Sequence, residues 1–164
     1  FALGAANWAL GGIASGKNLY DKATAYFHKA IPYMEQSGQI FMMAFTRRSL
    51  SWAALAAKDF EEANTQFREC IILYERDGQC WETLNTIMQI AEMFMTQNMP
   101  ERAVELLTMI NGHPATIEAT RQHVSELLAN LQAELDEADF RAARERGQAL
   151  ELAAVVKTLL TELA

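Results

Sequence analysis

The stretch with the most recognisable chemistry is Gly11-Gly12-Ile13-Ala14-Ser15-Gly16-Lys17-Asn18, which nearly spells the phosphate-binding loop GxxxxGK[ST]. Such a loop cradles phosphates on backbone N–H groups, offers a Ser or Thr hydroxyl to magnesium, and must leave a strand and open a helix. Here Asn18 stands where the hydroxyl is needed, and the stretch ends a helix, so its glycines read as points of close helix packing. Three histidines, His28, His113 and His123, have no partner at a ligand spacing such as i, i+4, and a metal needs several converging ligands. No Ser or Thr is set by the sequence beside a His and a carboxylate as an activated nucleophile requires. The acidic pairs Glu61-Glu62 and Asp136-Glu137 fall at helix starts, where the helix dipole accounts for them without catalysis. Cys70 and Cys80 form neither a disulfide framework nor a metal spacing, and read as small buried hydrophobes in a reducing compartment.

The composition narrows the classes further. A chain of 164 residues, half of them apolar, is long enough to bury a core. A net charge of −7, with Arg47-Arg48 as the longest basic cluster, argues against direct contact with nucleic acid, which relies on clustered Lys and Arg. No run approaches the roughly 20 apolar residues of a membrane helix. The sequence starts at Phe1 without a signal-peptide pattern, and it reads as a cytoplasmic fragment of something longer.

The elements that would position any site follow a forty-residue register. Ala23, Ala63 and Ala103 recur at that interval, with Tyr20, Phe60 and Pro100 three residues earlier and Phe27, Phe67 and Leu107 four later, and Gly38-Gln39 returns as Gly78-Gln79. A period of this length marks stacked helical hairpins, each burying its apolar face on its neighbour. The first helix, to Ser15, carries Leu3, Leu10, Ile13 and Ala14 as its packing residues. A turn at Gly16-Lys17-Asn18 leads to a helix over Tyr20 to Gln36, which Pro32 should kink or end. Further helices span Ile40 to Ala57, Phe60 to Arg76 and Cys80 to Gln97, and another starts at Pro100 and runs to the break at Asn111-Gly112-His113-Pro114. Gly38 and Gly78 supply left-handed stops. Three helices outside the register follow, from Thr116 to Leu135, from Asp136 to about Gly147 and from Leu150 to Leu163, and would cap the array.

The small and apolar positions Leu10, Ala14, Ala23, Phe27 and Ala30, repeated as Leu50, Ala54, Ala63, Phe67 and Cys70, resemble the tetratricopeptide repeat, whose usual period is about 34. The tail Leu131-x-x-x-Leu135-Asp136-Glu137-Ala138-Asp139-Phe140-x-Ala142-Ala143-x-x-x-Gly147-x-Ala149-Leu150-x-Leu152 is similar to the C-terminal segment of bacterial signal-transduction ATPases and LuxR-type regulators. Arg144 stands where that family usually has Trp, and Glu151-Leu152-Ala153 departs from its Ser before Leu-Glu-Glu. The resemblance implies an all-α fold, a right-handed superhelical array of hairpins over 1–115 with capping helices over 116–164 in one continuous domain. It also implies a sensor or scaffold piece of a larger regulator whose nucleotide-binding and DNA-binding parts lie elsewhere.

In such arrays the first helix of each unit lines a concave groove. Beside the packing pairs Leu10 and Ala14, Leu50 and Ala54, and Ile90 and Phe94, a displaced stripe holds Trp8 and Gly12, then Phe45, Arg48, Trp52 and Leu55, then Asn85, Met88, Glu92 and Met95. Aromatic and charged residues so mixed can anchor a protein, a peptide or a small effector, with methionines as an adaptable lining. The alternative is that Trp8, Trp52 and Met88 pack between units or against a preceding hairpin. Arg47 sits where the repeat has a large packing residue, so either the second unit is rotated or the side chain snorkels. The expectation is therefore a non-catalytic domain without a cofactor. It would bind an effector or partner and the other domains of its parent, with oligomerisation open. A stand-alone scaffolding module is the alternative, and an enzyme the outsider.

Overall fold

The computed structural model describes residues 2–164, and among these it holds nine α-helices and no strand. They are α1 (Ala2–Gly16), α2 (Tyr20–Gln36), α3 (Ile40–Ala56), α4 (Phe60–Asp77), α5 (Cys80–Thr96), α6 (Pro100–Gly112), α7 (Glu118–Glu134), α8 (Glu137–Gln148) and α9 (Leu152–Glu162). Helices close in sequence pack on one another, α1 on α2, α2 on α3, α3 on α4, α5 on α6 and α6 on α7. The helix α2 runs through Pro32 to Gln36, so the proline does not end it. The start of α7 lies two residues later than the sequence predicts, because Thr116 is held in the preceding turn. Its Oγ1 donates to the Ile110 carbonyl at 2.6 Å and its N–H to that of His113 at 3.1 Å. Asp136 occupies the N-cap position of α8 without a side-chain bond to the first turn, whereas Asp59 caps α4 by accepting from the Glu62 N–H at 3.1 Å.

The first five turns share one construction. Asn18, Gly38, Lys58, Gly78 and Asn98 have φ between 58° and 68°, in the left-handed region. At each, the following N–H reaches back to a carbonyl of the last helical turn, as Leu19 to Ala14, Gln39 to Met34, Asp59 to Ala54, Gln79 to Tyr74 and Met99 to Phe94. These are Schellman motifs, which satisfy carbonyls orphaned at a helix end. Glycine adopts this conformation freely and asparagine tolerates it, but Lys58 carries a Cβ that crowds its own backbone. Lys58→Gly is therefore expected to stabilise the protein by about 1 kcal/mol, and Asn18→Gly by less. Chemical denaturation checks this, and a neutral or destabilising Lys58→Gly would show the turn to be unstrained.

Two compact units divide the chain: Phe1–Gln79 with Glu162–Ala164, and Cys80–Thr161. In the first, α1 pairs with α2, α3 with α4, and α2 lies against α3. Its core joins Ala14, Ala23, Phe27, Ile31, Leu50 and Ala53, with Trp8 and Tyr26 at the margin, and a second cluster holds Ala44, Cys70, Leu73 and Tyr74. The alanines of the register, Ala23 and Ala63 here and Ala103 in the other unit, are wholly buried. Arg47 ties three helices together: it donates to Gln66 of α4 at 2.8 Å and to Glu35 of α2 at 3.1 Å, which carries its charge outward as snorkelling requires.

Helix α1 departs from expectation. Leu3, Leu10 and Ile13 are exposed, and the helix packs on α2 through Gly4, Gly11 and Ala14 instead. The reason is distance. A Cβ on Gly11 would sit 2.6 Å from the Phe27 ring, and one on Gly4 would sit 3.0 Å from the Tyr33 Cβ, so the helices approach closely where α1 has no side chain.

In the second unit α6 is the central element, with α5, α7 and α8 packed around it. Val104, Leu107 and Ile110, three residues apart along one face, are buried, and so are Leu106, Thr108 and Met109, because a helix enclosed on several sides buries more than one face. Against it α8 sets Gly147, whose added Cβ would lie 2.5 Å from the Glu105 carbonyl oxygen. Beside that contact Arg146 donates to the Glu105 carboxylate at 2.6 Å, and Arg102 donates to the other carboxylate oxygen at 2.8 Å. That hydrogen bond to Glu105 is the main reason the Arg146 guanidinium holds its proton more tightly than usual.

Candidate interaction surface

The residues of α3 set the candidate surface. Phe41, Phe45, Arg48 and Trp52 stand at helical spacing and therefore share a face. The Phe41 and Phe45 rings stack 6.2 Å apart at 13°. From α1, Trp8 tilts onto Phe45 at 5.5 Å and donates its indole N–H to Ser49 at 3.4 Å; from α4, Tyr74 tilts onto Phe41 at 6.2 Å. The Arg48 guanidinium lies 4.9 Å from the Phe45 ring centre and 6.0 Å from that of Tyr74, within cation–π range of both. One turn further on, Trp52 leaves 43% of its surface in water. An exposed indole beside a guanidinium held over aromatic faces can bury an apolar side chain against a polar edge.

Of the expected stripe, Trp8, Phe45 and Arg48 are thus brought together, and Trp52 continues their face. Leu55 is buried, a correction to its place on an open groove. With α2 and α4 both packed on α3, the buried arc of this helix is wide enough to take in the flank where Leu55 lies. In the second unit, the stripe of α5 is engaged by α7. Asn85 Oδ1 accepts from Thr120 Oγ1 at 2.8 Å, and Glu92 Oε1 meets His123 Nε2 at 2.9 Å. Thr120 is buried and needs an acceptor, which Asn85 supplies. Met88 and Met95 of the same helix are half-buried.

Three aromatic residues were absent from the expected stripe. Phe41 and Trp81 are 38% and 39% exposed and stand forty residues apart, so the register itself was the signal for them. Tyr74 lies on α4 and reaches the cluster only through the pairing of α3 with α4, which no local pattern announces.

The other candidates for chemistry have structural partners. The loop-like glycines lie within α1, where Gly11 abuts Phe27. His28 meets Glu62 at 3.0 Å, and His113 Nδ1 accepts the Ala115 N–H at 3.1 Å. Neither Cys70 nor Cys80 is in a disulfide among the described residues, and Cys70 donates its thiol to the Ala44 carbonyl at 3.4 Å. Among the described residues, no three His, Cys, Asp or Glu side chains are grouped to hold a metal, and no helix is long and apolar enough to cross a membrane.

By its fold, then, the chain is all-α over its described residues, and within each unit helices pack on their neighbours in a way compatible with a helical repeat. Compared with known proteins, it matches no family model, no curated protein and no solved structure.

Proposed function

We propose that this chain is a non-catalytic interaction domain whose α3 face binds a protein, a peptide or a small effector. In this reading it is the cytoplasmic sensor or scaffold part of a larger bacterial signal-transduction ATPase or transcriptional regulator, its hairpins wound into a right-handed superhelix. The forty-residue register and the similarity of the tail motif support that wider assignment. Occupancy of the face would bias the parent between resting and active states to the extent that the ligand prefers one of them.

The observation that carries the binding reading is Trp52, 43% exposed one turn from Arg48, whose guanidinium lies over Phe45. Large aromatic residues and arginines dominate binding energy where they are desolvated together. The test is to select displayed peptides on the intact chain and measure their affinity for Trp52→Ala and Arg48→Gln. Trp52→Ala should weaken binding at least about tenfold, the scale of a hot-spot residue, with a thermal midpoint within about 2 °C of the parent, as for a surface change. Ligands that bind both variants unchanged would remove the face from consideration, and a large drop in midpoint would make Trp52 a core residue.

A further inference from the structure

Among the described residues, nothing encloses the outer face of α1 as the equivalent faces of α3 and α5 are enclosed. In the forty-residue register Leu10 corresponds to Leu50 and Ile90, and Ile13 to Ala53 and Met93. Leu50, Ala53, Ile90 and Met93 are each 0% exposed, whereas Leu10 is 44% exposed and Ile13 57%. Ala6 is likewise exposed while its counterparts Thr46 and Thr86 are buried. The chemistry of the helix agrees with its register. Over fifteen residues α1 has no Asp, Glu, Lys or Arg, so no charged stripe faces the water. A helix that is apolar or small all round is one that is enclosed on all sides.

The first unit shows what encloses the equivalent face of α3. Leu50 and Ala53 pack into one cluster with Ala23, Phe27 and Ile31 of α2 and Ala14 of α1. The covering surface is therefore a helical hairpin whose second helix presents a small residue, an aromatic and an aliphatic at four-residue steps.

We propose that the Leu10 and Ile13 face of α1 is a docking surface for a further helical hairpin of this same repeat type, stacked on α1 as the α1–α2 hairpin is stacked on α3. The inference rests on the internal register and is independent of the α3 binding face. The complementary stripe cannot come from the α1–α2 hairpin of a second copy without unstacking it, because Ala23, Phe27 and Ile31 are buried within their own chain.

The test lengthens the intact chain by an in-frame duplicate of residues 1–40 placed ahead of Phe1, which sets Phe1 forty residues behind its counterpart and preserves the register. The lengthened protein should melt in one transition, at least about 3 °C above the original. Amide exchange along the original α1 should slow at least tenfold. Leu10→Lys should shift the midpoint of the unextended chain by less than about 2 °C, but lower that of the lengthened protein, mutated in the original copy, by at least about 5 °C. A duplicate carrying Phe27→Asp should bring no rise in midpoint. The proposal is overturned if the duplicate stays unprotected or melts separately, or if Leu10→Lys has the same effect in both proteins. It is also overturned if the unextended chain sediments as a dimer that Leu10→Lys dissociates, since that would give the face to a second copy.

Discussion

Gly147→Ala should destabilise the protein by about 3 kcal/mol or more, the upper range for overpacking a close contact. The new methyl would stand 2.5 Å from the Glu105 carbonyl oxygen and 2.8 Å from Thr108 Cβ, and the first of these is backbone of a helix with seven buried residues. A flexible side chain could turn aside; a helix packed on several faces cannot. Relief requires α8 to lift from α6, which stretches the 2.6 Å bond from Arg146 to Glu105. By helix propensity alone the substitution would instead stabilise by up to about 1 kcal/mol, so the sign of the effect separates the two influences. Gly112→Ala, with nothing within 4 Å of its Cβ, is the control. Denaturant unfolding gives the magnitude, and amide exchange should locate the loss in α6 and α8. A neutral or stabilised Gly147→Ala would mean that the two helices are not in such close contact.

The second large effect centres on Phe27, which is 2% exposed and joins the Gly11 surface of α1 to Leu50 and Ala53 of α3. Phe27→Ala should cost about 3–5 kcal/mol, through lost burial and the cavity left behind. Gly11→Ala alone should cost about 1–3 kcal/mol, because its methyl would meet the ring at 2.6 Å. The two changes touch one space, so the double variant should lose less than the sum of the single losses by at least about 0.5 kcal/mol. A strictly additive cycle would show that Gly11 and Phe27 do not share that contact. Gly12, one residue on, has nothing within 4 Å, and Gly12→Ala should be neutral or stabilising.

These glycines show where sequence reasoning stopped. Gly147 was legible as the end of a short helix, and Gly11 as a residue permitting close packing. Neither partner was legible, because Glu105 lies 42 positions from Gly147 and Phe27 lies across a turn from Gly11. The binding surface divided in the same way. Trp8, Phe45 and Arg48 could be assigned to one stripe because register and helical spacing are local quantities. That Leu55 is buried, that Tyr74 closes the cluster from α4, and that Asn85 and Glu92 are engaged by α7 all depend on which helix lies beside which.

By itself the sequence determined the helices and most of their ends, since apolar periodicity, turn residues and the forty-residue register act within a few positions of one another. It also determined where the register ceases, after Ile110 and before the capping helices. The tertiary structure decided which face of each helix is buried. For α2 the contrast between apolar and polar residues had already marked that face. For α1 and α6 there was little contrast to read: one is small and apolar all round, and the other is enclosed on several sides. In such helices the buried face is chosen by how closely a neighbouring backbone can approach, and that is a property of pairs of helices.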